Sequence, residues 1–434
     1  MNKGSLSTVY DITSFGALSD GKTSCSKAFR QAIAAAVQNG GGTVYVPAGT
    51  YQTGPIQMES NITLFLDAGA RLIFSTIKED YPVITSRWEG AEGLTYMPMI
   101  YGKNVENVSI TGYGTLDGQG EAWWKPFRER TLDHPRPRFV SFEDSSRVLI
   151  EGIHLINSPS WTLNPVRCSN VTIDKVTINN PPDSPNTDGI NPDSCKNVHI
   201  SNCHVDVGDD CITIKSGTER STYKVSCENI TVTNCTLVHG HGGVVIGSEM
   251  SGGVRNVVIS NCVFEGTDRG IRLKTRRGRG GIVEDLRINN LVMKDVMCPI
   301  VMHQYYFCGE GGKEQIVWDK APYPITEATP VFRSIHFSNI TAKNAHAAAA
   351  FIYGLSEMPI EDLSFDHISI SMAEDAIPGI PAMMNGVDPV VKMGFFCCNV
   401  KDVSFSHVTI KGHEGAAFQV KNSKKVVFIS CTEE

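Results

Sequence analysis

One short phrase recurs along this chain at a nearly constant interval, and that repetition restricts the fold more than any other feature. The phrase is a turn-forming polar residue, usually Asn, followed by alternating apolar and polar positions. It reads Asn107-Val-Ser-Ile110, Arg147-Val-Leu-Ile150, Asn170-Val-Thr-Ile173, Asn197-Val-His-Ile200, Asn229-Ile-Thr-Val232 and Asn256-Val-Val-Ile259. Later copies are Ser334-Ile-His-Phe337, Asp362-Leu-Ser-Phe365 and Asp402-Val-Ser-Phe405. An interval of roughly 23 to 32 residues through the middle of the chain is that of a solenoid. Alternation with period two marks a half-buried strand rather than a helix. Leucine-rich repeats share the interval, but their leucine signature and recurring helices are absent. Short strands stacked coil upon coil through Gly and Asn turns predict an all-β, right-handed parallel β-helix.

A second strand per coil supports this. Aligning the repeats puts Ile190, Ile212, Val244 and Ile271 in one column, preceded by Gly189, Cys211, Gly243 and Gly270. Side chains stacked in that way fill a core at about 4.8 Å per coil. The ends of such a stack would template aggregation, so caps are expected. Residues Ser26 to Val37 read as a short amphipathic capping helix with Ser26 as N-cap, within an N-terminal cap region of about residues 1–60. No linker interrupts the chain, which predicts a single domain over residues 1–434.

Composition narrows the function. A net charge of −7 argues against nucleic acid as a partner, since neutralising phosphates needs a basic surface. The 13 cysteines lack C-x-x-C spacing, so buried free thiols in a reducing compartment are expected rather than disulfides or a zinc site. Met1 to Tyr10 has no apolar leader core, and no segment is long enough to span a membrane. These readings predict a soluble cytoplasmic protein, or a secreted one if a leader has been removed. They leave oligomeric state open.

Four motifs fall in consecutive coils: Asn186-Thr-Asp-Gly189, Gly208-Asp-Asp-Cys211, Gly240-His-Gly242 and Arg272-Leu-Lys274. The column alignment puts Asp188 and Asp210 at equivalent positions, with His241 one coil further on. Ile271 and Leu273 point inward by alternation, so Arg272 and Lys274 emerge on the acidic face, on the order of 10 Å from Asp210. Carboxylates, an imidazole and two cations suit hydrolysis of an acidic glycoside. One acid protonates the leaving oxygen while another, ionised, activates water. Crowded like charges raise one apparent pKa, which would let the cluster hold a proton. The stretch Arg269, Arg272, Lys274, Arg276, Arg277, Arg279 suits a polyanionic ligand. Each feature has a plainer reading. Asp in such turns commonly caps backbone N–H groups, and the Arg276 to Arg279 run is divided between a solvated loop and a carboxylate-binding patch.

Taken together and in this order, the four motifs resemble the polygalacturonase family of glycoside hydrolases, family 28, over most of the chain and most strongly from Arg136 to Lys274. The resemblance implies the pectin-lyase-like β-helix and inverting cleavage of the α-1,4-galacturonosidic bonds of galacturonan or oligogalacturonides. It implies no metal or organic cofactor. Carried over by position, Asp209 is the general acid, Asp188 and Asp210 activate water, and His241 tunes the acid. Arg272 and Lys274 hold the galacturonate, with Asn186 and Arg276 as further substrate contacts and Tyr305 or Tyr306 in the substrate wall. The segments Val244 to Gly253 and Asn157 to Trp161 are similar to bacterial exo-acting members. Insertions around Trp123 to Pro137 and Cys298 to Pro330 are expected to close a groove into a pocket for chain ends. Rival readings are a rhamnogalacturonan or xylogalacturonan hydrolase of the same family, a pectate-type lyase, and a non-catalytic pectin-binding β-helix.

Overall fold

The computed structural model describes residues 8–433. Residues 1–7, most of the stretch inspected for a leader, lie outside the described residues. Among the described residues no helix is long and apolar enough to cross a membrane. The chain divides into two compact units, residues 1–88 with 92–209, and residues 89–91 with 210–434.

The first unit shows why the phrase recurs. Its strands Glu106–Gly112, Ser146–Glu151, Ser169–Asp174 and Lys196–Ser201 pair in parallel, with Val108, Val148, Val171 and Val198 in one register column. Ile110, Ile150, Ile173 and Ile200 form the next column. All eight are at most 2% exposed. The residue opening each phrase sits in the left-handed region, at φ 53° for Asn107, 54° for Arg147, 55° for Asn170 and 56° for Asn197. Asn tolerates that backbone better than most side chains because its short amide bonds locally. Here the amides also bond between coils, Asn107 Nδ2 to Asn61 Oδ1 at 2.8 Å and Asn197 Nδ2 to Asn170 Oδ1 at 3.0 Å. A second parallel ladder runs through Thr115–Asp117, His154–Ile156, Thr177–Asn179 and His204–Val207. The third face is carried by Ile56–Gln57, Ile100–Lys103 and Val140–Glu143 and continues as single bridges at Leu163 and Ile190. Three parallel faces per turn, joined by the right-handed crossovers that parallel strands favour, make a parallel β-helix.

The second unit repeats the scheme with longer strands. Val254–Glu265, Ile282–Lys294, Val331–Ala345, Ile360–Met372 and Val400–Lys411 pair in order. In its core column the aliphatic residues give way to rings, with Phe337, Phe365, Phe405 and Phe428 stacked at 5.1, 5.1 and 4.9 Å. The facing ladder is Ile212–Ile214, Val244–Gly247, Arg269–Lys274, Cys298–His303, Ala348–Tyr353 and Met393–Cys398.

The predicted capping helix forms over Ser26–Gln38, and Ala28, Phe29, Ala32, Ile33 and Ala36 bury its apolar face. Its N-cap is Cys25, not Ser26. The Ser26 hydroxyl instead accepts from the Gly54 N–H at 2.7 Å, so it ties the helix to the first coil and leaves the helix terminus without a side-chain cap. The 13 cysteines are all free, and eleven of them are buried.

The phenylalanine stack yields a stability test. Phe365, 0% exposed and in contact with three rings, should cost about 3–5 kcal/mol when replaced by Ala. Tyr113, 76% exposed, should cost about 0.5 kcal/mol or less on the same change. Comparable shifts for both variants in urea unfolding would contradict this picture of the core.

Candidate active site

Within the second unit the predicted column is realised: Ile212 pairs with Val244, Val244 with Ile271, and Ile271 with Ile300. Alternation turns Arg272 and Lys274 to the other face, as expected, and both end on Asp210. Arg272 NH1 lies 3.2 Å from Asp210 Oδ1 and Lys274 Nζ 2.7 Å from Oδ2. The expectation of cations emerging into solvent needs correcting, because Arg272 is 1%, Lys274 6% and Asp210 1% exposed. Tyr306 lies beside them, its ring centroid 5.8 Å from the Arg272 guanidinium and 5.2 Å from Lys274 Nζ. Gly242 makes the approach possible. A Cβ there would sit 2.4 Å from Val245 Cγ2 and 3.2 Å from Asp210 Oδ1.

Burial alone would raise the Asp210 pKa, but the Lys274 and Arg272 charges and the Lys274 hydrogen bond hold it well below the usual carboxylate range. Crowding of acids was expected to raise an apparent pKa in this cluster. At Asp210 the cations prevail, and the group is held as an ionised acceptor. Behind it, Lys215 and Glu249 form a second ion pair at 3.0 Å.

His241 is exposed, and its Nδ1 lies 2.8 Å from Asp268 Oδ2. Asp268 was not anticipated. Burial would raise its pKa, yet the His241 hydrogen bond and the Arg269 charge lower it, so the carboxylate accepts the Nδ1 proton. That fixes the imidazole's tautomer and orientation. The signal was present in sequence. The register that pairs Val244 with Ile271 also aligns His241 with Asp268, three positions earlier in each coil.

Other expected contacts lie elsewhere. The Arg276 guanidinium bonds Glu219 and the Glu310 carbonyl, both at 2.7 Å. Arg279 takes the other Glu219 oxygen at 2.6 Å. Arg277 grips Glu357 at 2.6 and 2.9 Å and the carbonyls of Ile316, Asp319 and Ala321. All three arginines are 5% exposed or less, so the run is neither a solvated loop nor an open carboxylate patch. It clamps the segment after Cys298 to the coil. Tyr305 is likewise a core residue, 0% exposed and packed on Tyr353 with ring centroids 5.3 Å apart, which removes it from any substrate wall and leaves Tyr306. His303, beside Lys274 in the register, is fully buried. Burial and the charges of Arg272, Arg269 and Lys274 keep it neutral.

In the first unit, Asn186 Oδ1 accepts from Arg136 NH2 at 2.7 Å. The Arg136 NH1 group donates to the carbonyls of Pro159 and Pro185, and the guanidinium lies 3.6 Å from the centroid of the Phe127 ring. Asn186 is therefore held rigidly by Arg136. Asn180 pins the same turn through Ser158, Thr162 and Thr187. Asp188 is buried at 3% exposure, and Asp209 is partly exposed at the end of this unit.

Comparison with known proteins adds the following. Residues 38–384 match the family model described as Glycosyl hydrolases family 28. A probable polygalacturonase of Vitis vinifera is 34% identical over 377 residues, which cover 84% of this chain and 74% of that protein. Among solved structures, a hyperthermoactive exopolygalacturonase from Thermotoga maritima is 33% identical, with a TM-score of 0.75 over 88% of this chain and 95% of its own. A family 28 exopolygalacturonase of Yersinia enterocolitica shares the fold at 21% identity, with a TM-score of 0.82 over 97% of this chain and 78% of its own.

The state of Asp210 can be read from stability against pH. Its folded pKa is depressed, so its contribution is complete above the ordinary value of 3.8 and is lost as pH falls through the folded value. The stability difference between the wild type and Asp210→Asn should stay constant from about pH 8 to pH 5 and shrink below about pH 4. A difference that grows on acidification, measured by urea unfolding, would mean that Asp210 is not held ionised.

Proposed function

The chain belongs to glycosyl hydrolase family 28, and from that premise we propose that it cleaves α-1,4-galacturonosidic bonds of galacturonan or oligogalacturonides, with inversion and from chain ends. It is a glycoside hydrolase; substrate, mode of attack and residue roles are our reading. The observation that carries it is the Asp210, Arg272, Lys274 cluster. It sets two cations side by side at a buried position beside a carboxylate. Paired cations of this kind suit an anionic sugar better than a neutral one.

In this reading Asp209 gives its proton to the glycosidic oxygen as the bond to the anomeric carbon breaks. Asp188 and Asp210 take a proton from the water that attacks the opposite face, and the product anomer is inverted. Held ionised, Asp210 can accept a proton and has none to give. His241, oriented by Asp268, tunes the acid. Arg272 and Lys274 receive the galacturonate carboxylate, and Tyr306 supplies an apolar wall beside them. Asn186 contributes an amide held by Arg136.

End-wise attack is supported by the two exopolygalacturonase relatives and by the insertion after Cys298, which Arg277 anchors through three carbonyls. The free cysteines suit a reducing compartment, where short oligogalacturonides taken up by a cell would be the available substrate.

Time-resolved analysis of a defined galacturonic acid oligomer tests this. The shortest product should appear from the first time point, with inverted anomeric configuration; early mid-length oligomers would remove the end-wise claim, and an unsaturated product the hydrolytic one. Asp209→Asn should lower kcat by about 10²–10⁴. Separately, Tyr306→Ala should raise KM, while Tyr305→Phe should leave both constants near wild type. The reverse ranking would return Tyr305 to the substrate wall.

A further inference from the structure

The long strands of the second unit each bend at a residue in the left-handed region, and the register stacks these residues. Asn261, Asn290 and Asn339 follow one another there, at φ 57°, 54° and 53°. Their amides suit such stacking, as where Asn290 Nδ2 donates to Asn261 Oδ1 at 3.3 Å. The next two coils break the pattern. The position is taken by His367 at φ 51° and His407 at φ 53°. Their rings stack with centroids 4.5 Å apart and an interplanar angle of 16°.

Asp366 serves both. Its Oδ2 is 2.9 Å from His367 Nδ1 and its Oδ1 3.9 Å from His407 Nδ1. One ligand atom from each of the three residues lies within 4.8 Å of the others. The side chains are 58%, 51% and 45% exposed for His367, His407 and Asp366, so an ion could reach them from solvent. Ser406 Oγ, 3.0 Å from His407 Nδ1, offers a further oxygen.

We infer that Asp366, His367 and His407 form a surface site for a borderline divalent metal ion of the zinc, nickel or copper type, one that ties two adjacent coils together and shares no residue with the candidate active site. Two imidazoles and a carboxylate favour these ions over calcium or magnesium, which prefer all-oxygen sites. Donors on one tetrahedral ion with bonds near 2.0–2.1 Å stand roughly 3.4 Å apart. Closing the triad therefore needs side-chain movement of about an ångström, within the reach of exposed rotamers. The site would act close to the last strands described. Beyond the His407 coil lies the strand Lys424–Ile429, whose Val427, Phe428 and Ile429 are 52%, 45% and 50% exposed.

The test uses the untagged full chain, titrated with zinc or nickel by calorimetry and followed by thermal unfolding. His367→Asn and His407→Asn restore the residue found in the preceding coils and should fold, which their metal-free unfolding temperature checks. Wild type should bind one ion per chain with micromolar affinity, and its unfolding temperature should rise by several degrees, reversibly with chelator. Each variant should bind at least tenfold more weakly and lose the rise, with glycoside hydrolysis unchanged. Wild-type affinity retained in both variants would place the ion elsewhere, and no saturable binding by wild type up to millimolar metal would overturn the site outright.

Discussion

In-register pairing of parallel strands is the constraint on which the rest of this molecule depends. When residue n of one coil lies directly above its counterpart, every side chain meets its equivalent about 4.8 Å away. Like stacks on like. That arrangement favours Val, Ile and Phe in the core and Asn at the left-handed turns, where amides bond amides. For charges it is costly, since like charges directly opposite destabilise a sheet. The second unit meets this by alternation of sign. Glu228, Arg255, Glu284, Arg333, Glu361 and Lys401 occupy one register column, each opposite the next. Arg255 reaches Glu228 at 2.7 Å, Arg333 reaches Glu284 at 2.6 Å, and Lys401 reaches Glu361 at 2.9 Å. Pairs as exposed as these contribute only about 0–1 kcal/mol each. Their value lies in the penalty they impose on any slip, because a strand displaced by one residue loses every pair and turns its apolar set outward.

The same constraint explains what could be read from the sequence. The recurring phrase is the register written out: a left-handed Asn, then two inward residues at alternate positions. Its copies therefore predicted strands, columns and the pairing of Ile212, Val244 and Ile271 with little ambiguity. The outward turn of Arg272 and Lys274 followed from alternation alone. Burial did not. Whether an outward side chain meets solvent depends on what later folds over it, and Tyr306 comes from an insertion whose path no periodicity reports. For that reason Tyr305 and Tyr306, adjacent in sequence and opposite in fate, could not be told apart. Arg276, Arg277 and Arg279 read as a basic patch because sequence gives charge without partners. Glu219 and Glu357 lie far from them along the chain. Asp268 and the pair His367 and His407 were missed for a different reason. Both needed a column carried beyond the motif that defined it, three residues back for Asp268 and two residues past the recurring phrase for His367 and His407.

The active-site cluster uses the costly case that the alternating ladder avoids. Arg272 and Lys274 lie on one face of one strand, two like charges two residues apart. Asp210, two coils earlier, supplies one negative charge between them. Burial raises the cost of every unpaired charge, and the two cations in turn hold Asp210 ionised, its pKa well below the usual carboxylate range. Stability and the chemistry we propose therefore make the same demand on this carboxylate. A group that must stay charged to neutralise its neighbours cannot serve as a proton donor, which is why our proposal gives that role to another acid, the partly exposed Asp209.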